Sequence, residues 1–90
     1  MRLNELAKLI RTAGDENRLK ILCVIFRKKK ICISDIAEDL GSSVATTSHH
    51  LQVMSKEKLL VKTREGKRIC YELPKGNFIK DLKSFICKYK

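Results

Sequence analysis

Ser34-Asp35-Ile36-Ala37-Glu38-Asp39-Leu40-Gly41-Ser42-Ser43-Val44-Ala45-Thr46-Thr47-Ser48-His49-His50-Leu51-Gln52-Val53-Met54 is the stretch whose reading decides the architecture. Ser34 is a good N-cap for a helix over Asp35 to Leu40, because its hydroxyl accepts from a free amide of the first turn. Gly41-Ser42-Ser43 reads as a tight turn. Ser43 then caps a second helix, Val44 to Glu57, whose core contacts are Leu51, Val53 and Met54, with Leu59 and Leu60 just beyond. Two short helices joined by a glycine-containing turn of this length form a helix-turn-helix.

Downstream, Leu60 to Arg64 and Lys67 to Leu73 flank Glu65-Gly66, a hairpin in which Ile69, Tyr71 and Leu73 alternate with Arg68, Cys70 and Glu72. A closing helix, Lys75 to Tyr89, carries Phe78, Leu82, Phe85 and Tyr89 on one stripe, with Ile79 and Ile86 beside it. Upstream, Asn4 to Ala13 is an amphipathic helix with Leu3, Leu6, Ala7, Leu9, Ile10 and Ala13 along its apolar side. Gly14 breaks it, and Asp15 caps a second helix, Asn17 to Phe26, that is apolar nearly all round and so belongs in the middle of a core. The basic run Arg27 to Lys30 is expected as a loop, and Ile31-Cys32-Ile33 as a short β-like piece. The order ααβααββα makes a single mainly α domain over residues 1–90 with a small β-hairpin: a winged helix-turn-helix.

A lone domain of 90 residues buries too little surface to be comfortable, and the stripes of the first and last helices have no partner to spare inside it. A homodimer joined through those two helices is the expected state. Twenty Lys and Arg against ten Asp and Glu leave a net charge of +10. A polyanion partner follows, with double-stranded DNA first and an anionic membrane surface as the rival. No stretch is apolar enough to span a bilayer, and Met1 to Gly14 does not read as a signal peptide, so a cytoplasmic protein is expected. The four cysteines, Cys23, Cys32, Cys70 and Cys87, contain no C-x-x-C pair, which argues against structural zinc. Catalytic motifs are missing: there is no glycine-rich phosphate loop, no H-E-x-x-H and no nucleophile elbow.

The start of the second helix of the pair is the candidate reading element. Ser43, Val44, Ala45, Thr46, Ser48 and His49 are small, hydroxylated or polar groups that allow close approach to a major groove. Ser and Thr also gather at helix starts simply because they cap well. Adjacent His49 and His50 point about 100° apart, whereas helical metal pairs prefer i, i+4, so His49 is read as a DNA contact and His50 as partly packed. On the hairpin, Arg64, Lys67 and Arg68 suit phosphate or minor-groove contact; lysines on strands also serve only to block edge pairing.

These same segments resemble the ArsR/SmtB (arsenic-repressor type) family. The resemblance runs through Gly14-Asp15-Glu16-Asn17-Arg18-Leu19-Lys20-Ile21-Leu22, Ser34 to Gly41, Thr47-Ser48-His49-His50-Leu51-Gln52-Val53-Met54, and the wing Thr63 to Leu73. It implies a homodimeric repressor that binds a palindromic operator and is released by an inducer. There are departures. Val44 and Ala45 stand where the family often has polar residues, which leaves them thymine-methyl contact. The Cys-x-Cys of the family's metal sensors is reduced to Cys32-Ile33-Ser34, and the Asp and His ligands of the last helix to Asp81 alone, so no metal and no cofactor are expected.

Cys23 in the second helix and Cys87 in the last are similar in placement to a branch of the family that senses reactive sulfur or oxidants through a dithiol. Cys23 reads equally as a small core residue. Cys87, about 140° from the centre of its helix's apolar stripe, reads equally as plain surface. Cys32 and Cys70 are reserve candidates. A cysteine-ligated metal-responsive repressor, or a winged-helix module for protein or RNA, are the alternatives.

Overall fold

A computed structural model describes residues Met1–Lys90. The elements are α1 (Leu3–Ala13), α2 (Glu16–Lys28), β1 (Lys30–Cys32), α3 (Ile33–Leu40), α4 (Val44–Lys56), β2 (Val61–Glu65), β3 (Arg68–Glu72) and α5 (Asn77–Tyr89). This is the expected order, and the architecture is the winged helix-turn-helix.

Two caps form as the sequence predicts. Asp15 accepts the Arg18 amide at 3.1 Å and Ser43 Oγ accepts the Thr46 amide at 3.1 Å, each satisfying a first-turn donor that has no partner inside its helix. Gly41 ends α3 in the left-handed region at φ 63°, its amide donating to Glu38 and that of Ser42 to Ala37. A Schellman arrangement of this kind is what turns the chain between the two helices.

Three helix boundaries move by two residues: α5 starts at Asn77 rather than Lys75, after Gly76 at φ 133°, and the other two change how the chain is read. The basic run is not a loop: α2 continues through Lys28, and Lys29 closes it at φ 67°, its amide bonded to Ile25 O at 2.7 Å. Cations in a last turn face the negative end of the helix dipole, so the run suits a helix end. Ser34 is not a cap either. The chain passes straight from β1 into α3, Cys32 takes the N-cap position without a side-chain bond, and Ser34 lies inside the first turn.

Ile21, Leu22, Val24 and Ile25 of α2 are buried at the centre, against Ile36, Leu51, Met54, Leu59, Leu60 and Tyr71. Each such side chain contributes about 1.5–3 kcal/mol on burial. The sheet has the order β1-β3-β2, antiparallel throughout, with Ile31 opposite Tyr71 and Cys32 opposite Cys70. β3 is therefore a central strand. Tyr71 looks into the core, and its burial pushes the phenol pKa up from the ordinary value of 10.0.

The apolar stripes of α1 and α5 are left partly uncovered. Ile10 is 55% exposed, Phe85 64% and Tyr89 71%. They border an apolar groove between α1, α2 and α5, lined also by Leu19, Cys23, Leu82 and Ile86.

Candidate nucleic-acid interface

Packing decides which face of α4 is free. Thr47, Leu51 and Met54, spaced i, i+4, i+7, are all at or below 1% exposure, so they form the inward stripe. The opposite face carries Ala45, His49, Gln52 and Lys56, all exposed. Val44 and Thr46 are exposed at the N-terminal turn, where Ser43 Oγ donates to Thr46 Oγ1 at 2.9 Å. Ser48, half-buried, accepts from Gln52 Nε2 at 3.1 Å. Gln52 was not among the expected contact residues. Its signal was its place one turn beyond Ser48 on the exposed side, and its amide suits an adenine edge.

The two histidines separate as their angular offset requires. His49 is exposed, whereas His50 is half-buried and its Nδ1 accepts from Arg18 Nε at 3.3 Å. Arg18 also donates to Thr12 O at 3.3 Å, so one guanidinium ties α2 to the end of α1 and to the back of α4. His50 thus belongs to the mounting of the helix rather than to its outer face.

On the hairpin, Gly66 turns the chain at φ 64° between β2 and β3. Arg64 and Lys67 are exposed and belong to none of the ion pairs; Arg64 Nε donates to its own hairpin's Gly66 O at 3.3 Å. Arg68 is placed differently from its two companions. Its Nη2 bonds Asp35 of α3 at 2.7 Å, which draws the guanidinium toward the helix-turn-helix. Both partners are more than half exposed, so the pair is worth at most about 1 kcal/mol and yields readily to a phosphate.

The cysteines fall into two sets. Cys23, half-buried, lines the apolar groove together with Ile86, and Cys87 is exposed on α5; both are free thiols. The sulfurs of Cys32 and Cys70 are joined in a disulfide. The expectation that Cys70 points away from Tyr71 holds, but that outer face of the strand is closed: Cys70 is 0% exposed.

Residues 15–62 match the model of the family "Bacterial regulatory protein, arsR family". The cadmium resistance transcriptional regulatory protein CadC of Listeria innocua is 41% identical over 70 residues, covering 78% of this chain and 54% of its own length. The chain thus spans about half the length of the curated relatives it matches. Among solved structures, HlyU from Vibrio cholerae superposes with a TM-score of 0.86 at 21% identity, over 99% of this chain and 97% of that one. A homodimeric winged helix-turn-helix DNA-binding domain from Mycobacterium bovis does so with a TM-score of 0.84 at 24% identity, over 97% and 79%. These likenesses fix the fold. The matched segment takes in α2, both helices of the helix-turn-helix and the start of the wing, and it is a segment of regulators, not of enzymes: the chain belongs to the arsR family of bacterial regulatory proteins.

Proposed function

We propose that the chain is a dimeric transcriptional repressor that binds a palindromic DNA operator and leaves it when an inducer reacts with the protein. One observation carries this reading: the outward face of a capped α4 stands exposed, and the hairpin that follows it bears three cations, Lys62, Arg64 and Lys67, that no acid neutralises. On this reading Ser43, Val44, Ala45, Thr46, Ser48, His49 and Gln52 meet the major groove, while Arg64, Lys67 and Arg68 grip phosphate or the minor groove. Arg68 exchanges Asp35 for phosphate on binding.

The dimer forms through α1 and α5, whose uncovered Ile10, Phe85 and Tyr89 are the surface a second copy covers. A two-fold pair then presents two copies of α4 about one DNA turn, roughly 34 Å, apart. The protein works in the cytoplasm, on cellular DNA.

For the inducer, the reading is a reactive sulfur species or oxidant acting on Cys23 and Cys87. Ile86 lines the groove with Cys23 and Cys87 does not, so on this reading linking the two thiols requires α5 to turn. That turn disturbs the dimer seam and with it the spacing of the reading helices. A second reading, release by a soft metal held by cysteines, is favoured by the relative named for cadmium resistance. Selection of a bound duplex from random sequence, followed by affinity measurements on reduced, persulfide-treated, peroxide-treated and cadmium-loaded protein, tests both readings. A palindromic duplex bound in a strongly salt-dependent way supports the repressor. Failure to select any duplex overturns it.

A further inference from the structure

The register of the wing places Cys32 and Cys70 as direct neighbours across β1 and β3, and Thr63 opposite Cys70 on the other flank. Directly paired residues share a face of a sheet. One face therefore carries Lys30, Cys32, Thr63, Glu65, Arg68, Cys70 and Glu72, with Val61 at its edge, the face turned away from Tyr71 and the core.

A face of that composition ought to be wet, yet Cys70 is fully buried. The register sets an ion pair across it. Lys30 at one flank and Glu65 at the other meet at 3.2 Å. Their register partners on β3 are Glu72 and Arg68, which lie on either side of Cys70, so the ion pair crosses the central strand over that residue. Arg68 then leans to Asp35 at the start of α3. Both cysteines line the groove formed with Lys28, Lys30, Asp35 and Arg68, but Cys32 is only half-buried and keeps surface open to solvent.

We propose that Cys32 and Cys70 are a reversible redox pair that locks the wing to the helix-turn-helix. Both sulfurs are already in bonding register, one of them reachable from solvent and the other sealed beside it. Cys32 is also the residue from which α3 starts, and Cys70 is the middle of the second wing strand. A bond between them ties the hairpin to the first helix of the pair in a way that the exposed ion pairs do not.

The oxidant is a hydroperoxide, ROOH. The Cys32 sulfur attacks its outer oxygen and the O–O bond breaks, giving a sulfenic acid at Cys32 and ROH. The Cys70 sulfur then attacks the Cys32 sulfur, the S–O bond breaks, and oxygen leaves as water with the Cys70 proton. Two thiols lose two electrons to the peroxide, and a dithiol reductant restores them by exchange.

Resting on the repressor reading, the consequence is that the oxidised protein binds DNA more tightly, because the wing no longer has to be ordered on binding. This dithiol is distinct from Cys23 and Cys87, and its effect runs opposite to release.

The experiment uses the full chain carrying Cys23→Ser and Cys87→Ser, and the unaltered chain in parallel. Each is treated with hydrogen peroxide and then with a dithiol. Peptide mapping is expected to find Cys32 linked to Cys70 after peroxide and free after the dithiol. Amide exchange in β1, β2 and β3 is expected to slow about tenfold or more on oxidation. DNA affinity is expected to rise by about fivefold or more.

Cys32→Ser, at a half-exposed position, and Cys70→Ala, which keeps the buried site apolar, each abolish all three responses. Absence of the linked peptide overturns the proposal, as does a linked protein whose exchange is unchanged. Equal DNA affinity in both states overturns the effect on binding. Protein that binds no DNA in either state fails the repressor reading instead, and mapping and exchange still decide whether the pair is a redox lock.

Discussion

Replacing Arg64 and Lys67 together by alanine removes the two exposed cations nearest the hairpin turn that lie outside the ion-pair set, and leaves Lys62 and Arg68 in place. Neither deletion disturbs packing: the one bond given up is from Arg64 to Gly66 O of the same turn. If each of the two side chains meets one phosphate, a dimer loses four contacts. Each contact contributes about 0.9 to the slope of log affinity against log salt, so the slope flattens by about 3.6. Between about 50 and 200 mM salt, the ratio of parent to variant affinity then shrinks by about 150-fold. The same loss is expected on unrelated duplexes, because phosphate contacts carry no sequence information. Fluorescence anisotropy of a labelled palindromic duplex and an unrelated one, titrated at several salt concentrations, measures the slope directly. A variant with the parent's slope would refute the wing's role in gripping DNA, whatever its affinity at a single salt concentration.

The other expectations concern the helix, the core and the seam. His49→Ala and Gln52→Ala should each cost about 1–3 kcal/mol on the operator and little on unrelated DNA, a split that competition titrations resolve. Thr47→Val should be neutral or stabilising in urea unfolding, since Thr47 Oγ1 is buried without a partner and the substitution removes a desolvated hydroxyl at constant shape. Phe85→Lys should turn a dimer into a folded monomer in sedimentation at micromolar concentration, because it places charge in the stripe a second copy covers; a dimer that persists would exclude α5 from the seam. Tyr71 ionises at a higher pH in the folded chain than in the unfolded one. The unfolded state therefore releases the phenolic proton first, and stability falls as pH rises above about 10. Tyr71→Phe should fall less steeply over that window in unfolding measured against pH.

The fold was legible because its signals are local and agree with one another. Asp15, Gly41 and Ser43 each occupy the cap or turn position that their chemistry favours, and the apolar spacing of α1, α4 and α5 agrees with the elements they delimit. The misreadings sit where local chemistry is overridden by what the segment joins. Arg27 to Lys30 reads as a loop by charge, but α2 is anchored along Ile21, Leu22, Val24 and Ile25 and carries the run one turn further. Ser34 reads as a cap, but β1 must stay within bonding reach of β3, and a strand that runs directly into a helix leaves the N-cap position to its own last residue, Cys32.

The candidate site divides along the same line. His49, Arg64 and Lys67 stand free, and both angular offset and turn position were readable from sequence. Arg68 and Cys70 were not readable, because their surroundings are long-range. The alternation of β3 places Arg68, Cys70 and Glu72 on one polar-looking face, and polar alternation ordinarily means solvent. That inference fails when a strand is central and its two neighbours supply opposite charges that meet above it. Lys30 and Glu65 are 35 residues apart in sequence, and only the register of β1 and β2 on either side of β3 brings them together. The seal over Cys70 is therefore a property of topology. Any variant that breaks the Lys30–Glu65 pair should expose the Cys70 sulfur to alkylation without touching the strand itself, and Glu65→Gln, followed by the rate of thiol labelling in the reduced protein, separates cover by this ion pair from cover by the backbone. A labelling rate at Cys70 equal to that of the parent would assign its burial to the flanking strands alone.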